Sequence, residues 1–222
     1  MSISFKYLIL LVNVIVLNSV LIGQDKSKWE LVKSSNDIKV YTQKVADQQI
    51  KKVKIESVVT TTLSELVVLF KDAKNHSNWV FLNESAKIVE VIDNNNWKYY
   101  SYTDSPWPVA NRDYYTNIVL LQNDIDYSVT ITSTAIPDFA PKQKDCIRIS
   151  YIKSVWNLNP IGNGSIHITF ELEVDPGGNI PPWLVNMAIT KGPYNTMVGL
   201  IKELKTKRYN NIELDYIEEL EY

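Results

Sequence analysis

Between residues 165 and 174 the sequence runs SIHITFELEV. Side chains alternate across a strand with a period of two, so Ile166, Ile168, Phe170, Leu172 and Val174 share one face. Ser165, His167, Thr169, Glu171 and Glu173 share the other. One dry face and one wet face define an antiparallel sheet covered on a single side. The pattern recurs at Val53, Ile55, Ser57 and Val59, which alternate with lysines and Glu56, and again through DYSVTITSTAI at 126–136. WKYYSYT (97–103) and RDYYTNIVLL (112–121) are rich in aromatic and β-branched residues, which fit a pleated surface. Turn-forming clusters at Asp93–Asn96, Asn123-Asp124, Pro137–Pro141 and Ile161–Gly164 separate these runs. A first strand pair is expected at 29–33 and 38–43, around the turn Ser34–Asp37.

Two segments change period from two to 3.6. TTLSELVVLFKDA (61–73) has Thr62 as N-cap with Glu65 three residues on, a capping box, and an apolar stripe of Leu63, Leu66, Val67 and Phe70. A short turn is expected to follow around His76–Val80. PPWLVNMAITKGPYNTMVGLIKELK (181–205) predicts a long helix, which Gly192-Pro193 should kink or split. A long helix laid on the dry face of a curved sheet covers it and closes an α+β layer around a packed core or a cavity. The charged segment 206–222 is expected as a loosely attached tail.

Residues 1–23 stand apart. Lys6 precedes an apolar run from Tyr7 to Ile22, dotted by Asn13, Asn18 and Ser19 and ended by Gly23 before Asp25-Lys26. A bilayer-spanning helix needs about 20 unbroken apolar residues, so this run reads as a cleaved secretory signal; an uncleaved membrane anchor is the alternative. Residues 24–222 then carry a formal net charge of −3, because Lys6 is the leader's single charge and the whole chain carries −2. A mildly acidic chain without a basic block excludes nucleic acid as a natural partner. The single Cys146 excludes a disulfide framework and sits in an apolar strand, where it serves as a small hydrophobe.

The search for catalytic groups returns little. His76 and His167 are far apart, whereas zinc sites need three or four clustered ligands. The chain has no nucleophile elbow and no phosphate-cradling loop. Neither a metal nor a cofactor is expected. Two arginines stand among apolar neighbours: Arg112, in the period-two set with Tyr114, Thr116 and Ile118, and Arg148, with Cys146, Ser150, Ile152, Ser154 and Trp156. An arginine so placed needs a partner. It either pairs with a carboxylate such as Asp104 or Asp113, or anchors the polar end of a ligand.

SPWPVANRDY (105–114) and VDPGGNIPPWLVN (174–186) together resemble two ordered motifs of START domains, the steroidogenic-acute-regulatory-related lipid transfer family. Trp79 and Trp156 fall where that family often has tryptophan, and the resemblance spans roughly residues 28–205. It implies a helix-grip fold, a curved antiparallel sheet around a long C-terminal helix, with an internal tunnel for one lipid or other apolar molecule. Some sterol-binding members hold a carboxylate–arginine pair there. The position of that arginine is Ile118 here, which implies a largely apolar cavity. Within SPWPVANRDY, Pro106 and Pro108 keep their preceding residues extended. Trp107 is expected to pack as an apolar plug, and Arg112-Asp113 to fix the strand entry by pairing.

On this reading the candidate wall residues are Val53, Ile55, Tyr99, Tyr114, Ile118, Val129, Ile131, Ile152, Ile168 and Phe170, with Met187 and Met197 from the helix and Arg148 as polar anchor. Gly192-Pro193 and the 175–180 loop are candidate hinges. The expected function is non-enzymatic carriage of a lipid or other apolar ligand by an exported protein, with transient contact at a membrane surface. An enzyme acting in the same cavity and a filled-core interaction domain are the alternatives.

Overall fold

The computed structural model describes residues 28–46 and 48–220. The leader, 1–23, lies outside them. Ten strands form one sheet: β1 (Glu30–Ser35), β2 (Ile38–Gln43), β3 (Lys52–Thr60), β4 (Asn83–Val91), β5 (Asn96–Thr103), β6 (Asn111–Gln122), β7 (Val129–Ala135), β8 (Cys146–Arg148), β9 (Tyr151–Gly162) and β10 (Ser165–Asp175). The spatial order is β1-β2-β3-β10-β9-β7-β6-β5-β4, with β8 beside β6. Neighbours along that path pair antiparallel, and β8 pairs parallel with β6. Helix α1 (Leu63–Lys71) and a 3-10 turn (Ala73–Asn78) connect β3 to β4; α2 (Pro182–Leu204) follows β10. This is the α+β helix-grip arrangement expected from the alternating strands and the long helix.

Local chemistry accounts for the boundaries. Thr62 caps α1 by accepting from the Glu65 amide at 3.1 Å. Only half of the capping box forms, because the Glu65 carboxylate accepts from the Thr61 hydroxyl at 2.6 Å and from the Asn211 amide at 3.1 Å. β7 starts at Val129 rather than near 126, since the Asp126 carboxylate takes the Ser128 amide at 3.0 Å and holds a turn there. β4 lacked a sequence signal: Glu84, Lys87 and Glu90 break its alternation, as suits a strand at the sheet edge. Helix α2 is not split at Pro193; helical backbone runs through it.

The core lies between the concave sheet face and the helices, centred on Ile38, Val40, Val53, Ile55, Leu66, Leu158, Ile168, Met197 and Leu200. Helix α2 meets the segment after α1 at very short range. A Cβ on Gly199 would stand 2.3 Å from the Trp79 carbonyl oxygen, so only glycine permits this approach.

Two expectations are corrected here. The C-terminal segment is not loose: Tyr209 and Ile217 are buried in the core, and the Glu219 carboxylate accepts from the first two amides of α1, Leu63 at 3.0 Å and Ser64 at 2.7 Å. Its charge count concealed these anchors. Trp107 is not a plug either, being 93% exposed. Its loop is held instead by Asn111, which accepts from the Ser105 amide at 2.9 Å and donates to the Tyr102 hydroxyl at 2.7 Å.

Candidate functional site

A cavity of about 270 Å³ opens between the sheet and α2. Its walls come from alternate residues of five strands: Trp97 and Tyr99 on β5, Tyr114 and Ile118 on β6, Ile131 and Ser133 on β7. Beside them on the same sheet stand Ile152, Ser154 and Trp156 on β9 and Phe170, Leu172 and Val174 on β10. Phe70 of α1, the His76–Phe81 segment and Gly192, Pro193 and Thr196 of α2 complete it. Pro193 and Gly192, read from the sequence as a hinge, thus form part of the helical wall.

The register shows where the hollow begins. Ile168, Leu158 and Val129 lie on one line across β10, β9 and β7, and all three are fully buried. One step further along that face come Phe170, Trp156 and Ile131, which line the cavity. Trp156 stacks on Phe170 with ring centroids 4.0 Å apart and planes 14° apart. Phe70 adds its ring at 4.9 Å from Trp156, and Trp79 meets Phe70 edge-on at 5.6 Å. These rings separate a solid half of the concave face from a hollow half.

Of the expected wall residues, Tyr99, Tyr114, Ile118, Ile131, Ile152 and Phe170 stand on the cavity. Val53, Ile55, Val129, Ile168 and Met197 share the concave face but pack solidly in the core. Alternation specifies the face of a strand, not the height along it. Met187 is 56% exposed. The buried stripe of α2 runs through Val185, Ile189, Pro193, Met197 and Leu200, and a residue two positions from Val185 is turned by roughly 200°.

Arg148, the expected polar anchor, does not stand on the cavity wall. Its guanidinium grips Asp113 with two hydrogen bonds of 2.8 Å and donates to the carbonyls of Pro137 at 2.7 Å and Ala140 at 3.0 Å. That partner raises the guanidinium pKa. The chain leaves strand conformation at Ile149 and Ser150, so the period-two count linking Arg148 to Ile152 does not carry across. Arg112 does not pair with Asp113 but donates to the backbone carbonyls of Ala110 and, at 3.4 Å, Gly177. The loop 105–111 and the turn at 176–178 are thereby drawn together.

The polar centre of the cavity was missed from the sequence. His76 is buried; its Nδ1 lies 2.7 Å from the Tyr99 hydroxyl and its Nε2 3.1 Å from the Phe70 carbonyl. Burial pulls the imidazole pKa down to about 4, so it is neutral near pH 7. Burial likewise pushes the Tyr99 and Tyr114 phenols up. No lining residue is therefore charged near neutral pH. The indole N–H groups of Trp79 and Trp97 have no partner, but protein atoms enclose them and they are not offered to the cavity. Among the described residues no group of His, Cys, Asp or Glu is arranged to hold a metal.

A curved antiparallel sheet, a long C-terminal helix across it and an uncharged aromatic hollow between them define the helix-grip fold. The START domain family model matches residues 18–208, and the chain belongs to that family. It is 30% identical over 172 residues to an uncharacterized protein of Pseudomonas aeruginosa, covering 78% of this chain and 84% of that one. It is 25% identical to the phosphatidylcholine transfer protein of Bos taurus, covering 78% and 83%. Among solved structures it resembles a STAR-related lipid transfer protein from Xanthomonas axonopodis, with a TM-score of 0.75 and 27% identity, covering 80% of this chain and 98% of that one.

Proposed function

We propose that the protein binds one hydrophobic ligand in this cavity without chemical change and carries it between apolar environments. The observation that bears this reading is the cavity itself. Its walls are largely aromatic and aliphatic, and no carboxylate or cationic side chain lines it. Burial of the ligand's apolar surface, at roughly 25 cal/mol per Å², supplies the affinity. The named lipid transfer relatives favour the same reading.

Delivery requires contact with a membrane surface. Trp107 and Trp183 are 93% and 69% exposed, and the bonds from Arg112 tie the Trp107 loop to the turn at 176–178, which leads into the first turn of α2 where Trp183 stands. Tryptophan suits the boundary between water and lipid, where its apolar body and N–H are both satisfied. The N-terminal pattern of residues 1–23 supports export, with carriage taking place outside the cytoplasm. Native mass spectrometry of protein purified from its own cells, and again after incubation with lipid vesicles, tests the proposal. An apolar molecule released on denaturation is the expected result, and its absence in both preparations overturns carriage.

A further inference from the structure

We propose that a groove at the end of the sheet away from the cavity docks an extended, acidic segment of a partner protein, which adds as a strand to the open edge of β3. Nothing in this depends on the cavity or on what it carries.

β3 outruns its neighbour. β2 pairs with it only from Lys39, opposite Glu56, to Gln43, opposite Lys52, because the chain turns back into β1 at Asn36-Asp37. β3 continues beyond Glu56 to Thr60. There Val58, Val59 and Thr60 pair with His167, Ile166 and Ser165 of β10 on one side. Among the described residues no strand pairs with them on the other. Backbone N–H and C=O groups alternate between the two sides of a strand, so this short edge offers main-chain donors and acceptors to an added strand.

Apolar surface and positive charge face that edge. The C-terminal half of α2 stands across from it, and a groove runs between the two. Val58, Val198, Ile201 and Leu204 give it apolar surface, with Val58 48% and Val198 38% exposed. Lys202, Lys205 and Lys207 border it. Among the described residues none of these lysines pairs with a carboxylate, whereas Arg208 beside them pairs with Glu203 at 2.9 Å. Asp37 is the single acidic residue on the described lining, so three positive charges stand there against one negative.

These features select the occupant. A second copy would set the same lysines against these, and repulsion opposes it. An anionic lipid surface answers the ammonium groups but leaves the strand edge without partners. An acidic peptide in extended form answers both: its main chain continues the ladder, its apolar side chains cover Ile201 and Leu204, and its carboxylates reach the lysines.

Register keeps the groove clear of the cavity. Val53 near the start of β3 pairs with Leu172, which lines the cavity, and the strand rises about 23 Å from there to Thr60 at roughly 3.3 Å per residue. A partner held at the groove leaves the cavity end of the sheet free.

A peptide of alternating valine and glutamate, about eight residues long and carrying a neutral coumarin, tests the proposal by fluorescence anisotropy with the whole protein. It should bind about tenfold more tightly than the same peptide with lysine in place of glutamate, and should weaken as salt rises from about 0.05 to about 0.5 M. Methylating its main-chain nitrogens keeps the charge but removes the ladder donors, and should abolish binding. Amide exchange at residues 58–60 should slow when the peptide is added. Lys205→Glu, at an exposed position bordering the groove along its length, should weaken binding about fivefold. Lys202→Glu takes its place if that variant does not fold. Equal binding of the glutamate and lysine peptides, undiminished binding of the methylated one, or unaltered exchange at 58–60 each overturns the proposal, as does the absence of any peptide binding. Phosphatidylglycerol vesicles captured by the wild type and released by Lys205→Glu, with no peptide bound, would overturn it in favour of a membrane contact.

Discussion

His76 has a consequence for stability that can be measured without any ligand. Its pKa is about 4 in the folded protein against an ordinary value near 6.5, so the unfolded chain binds the proton more tightly. Stability is fully present above about pH 6.5 and declines as the pH falls towards 4, by ~3 kcal/mol over the window. Urea unfolding at steps between pH 7.5 and 4 should show this loss in the wild type. His76→Gln, which keeps a polar group but does not titrate, should be less stable at pH 7.5 and have a shallower dependence. A variant with the wild-type pH profile would remove His76 as its source. Little of this was legible in the sequence. A lone histidine in a turn after a helix carries no periodic signal, and only the folded chain brings it to Tyr99, 23 residues away. Arg148 failed for another reason: its face was counted through Ile149-Ser150, where the strand is interrupted. Its need for a carboxylate was legible, and Asp113 meets it.

Among the elements, α1 depends on residues that follow α2. The Glu219 carboxylate takes two amides at the start of α1, where the helix dipole also favours an anion. Tyr209 donates to Asp72 at 3.1 Å just past the end of that helix, and Lys71 donates to the Tyr216 hydroxyl at 3.1 Å. The C-terminal segment thus straps a helix that leads directly into Trp79 and His76. Glu219→Ala should cost about 1 kcal/mol and speed amide exchange at Leu63 and Ser64. Unchanged exchange at these two amides would mean that the strap does not hold the helix. The meander and both helices were legible because period and turn chemistry repeat within short windows. The strap was not, because its contacts with α1 and its C-cap span 137 to 156 positions in sequence and it has no period of its own.

Across the whole molecule, one concave face serves two purposes, and the line between them is drawn by strand register. On the near side Val53, Ile55, Ile168 and Met197 leave no space; on the far side Ser133 and Ser154, register partners on β7 and β9, border the hollow. The same enlargement should therefore have opposite results on the two sides. Val53→Phe inserts atoms into a filled core and should destabilise by about 1–3 kcal/mol. Ser154→Phe places a ring in empty space, where it exchanges a hydroxyl for apolar contact. It should leave stability unchanged or slightly raised, while abolishing ligand capture in native mass spectrometry. Thermal melts of both variants together with their bound mass provide the comparison. If Ser154→Phe still carried ligand at the wild-type level, the ligand would sit elsewhere. If it unfolded as readily as Val53→Phe, the cavity would be too small to admit any guest. Stability kept with binding lost is the combination that a filled interaction domain cannot produce, since such a core has no place where added volume is tolerated.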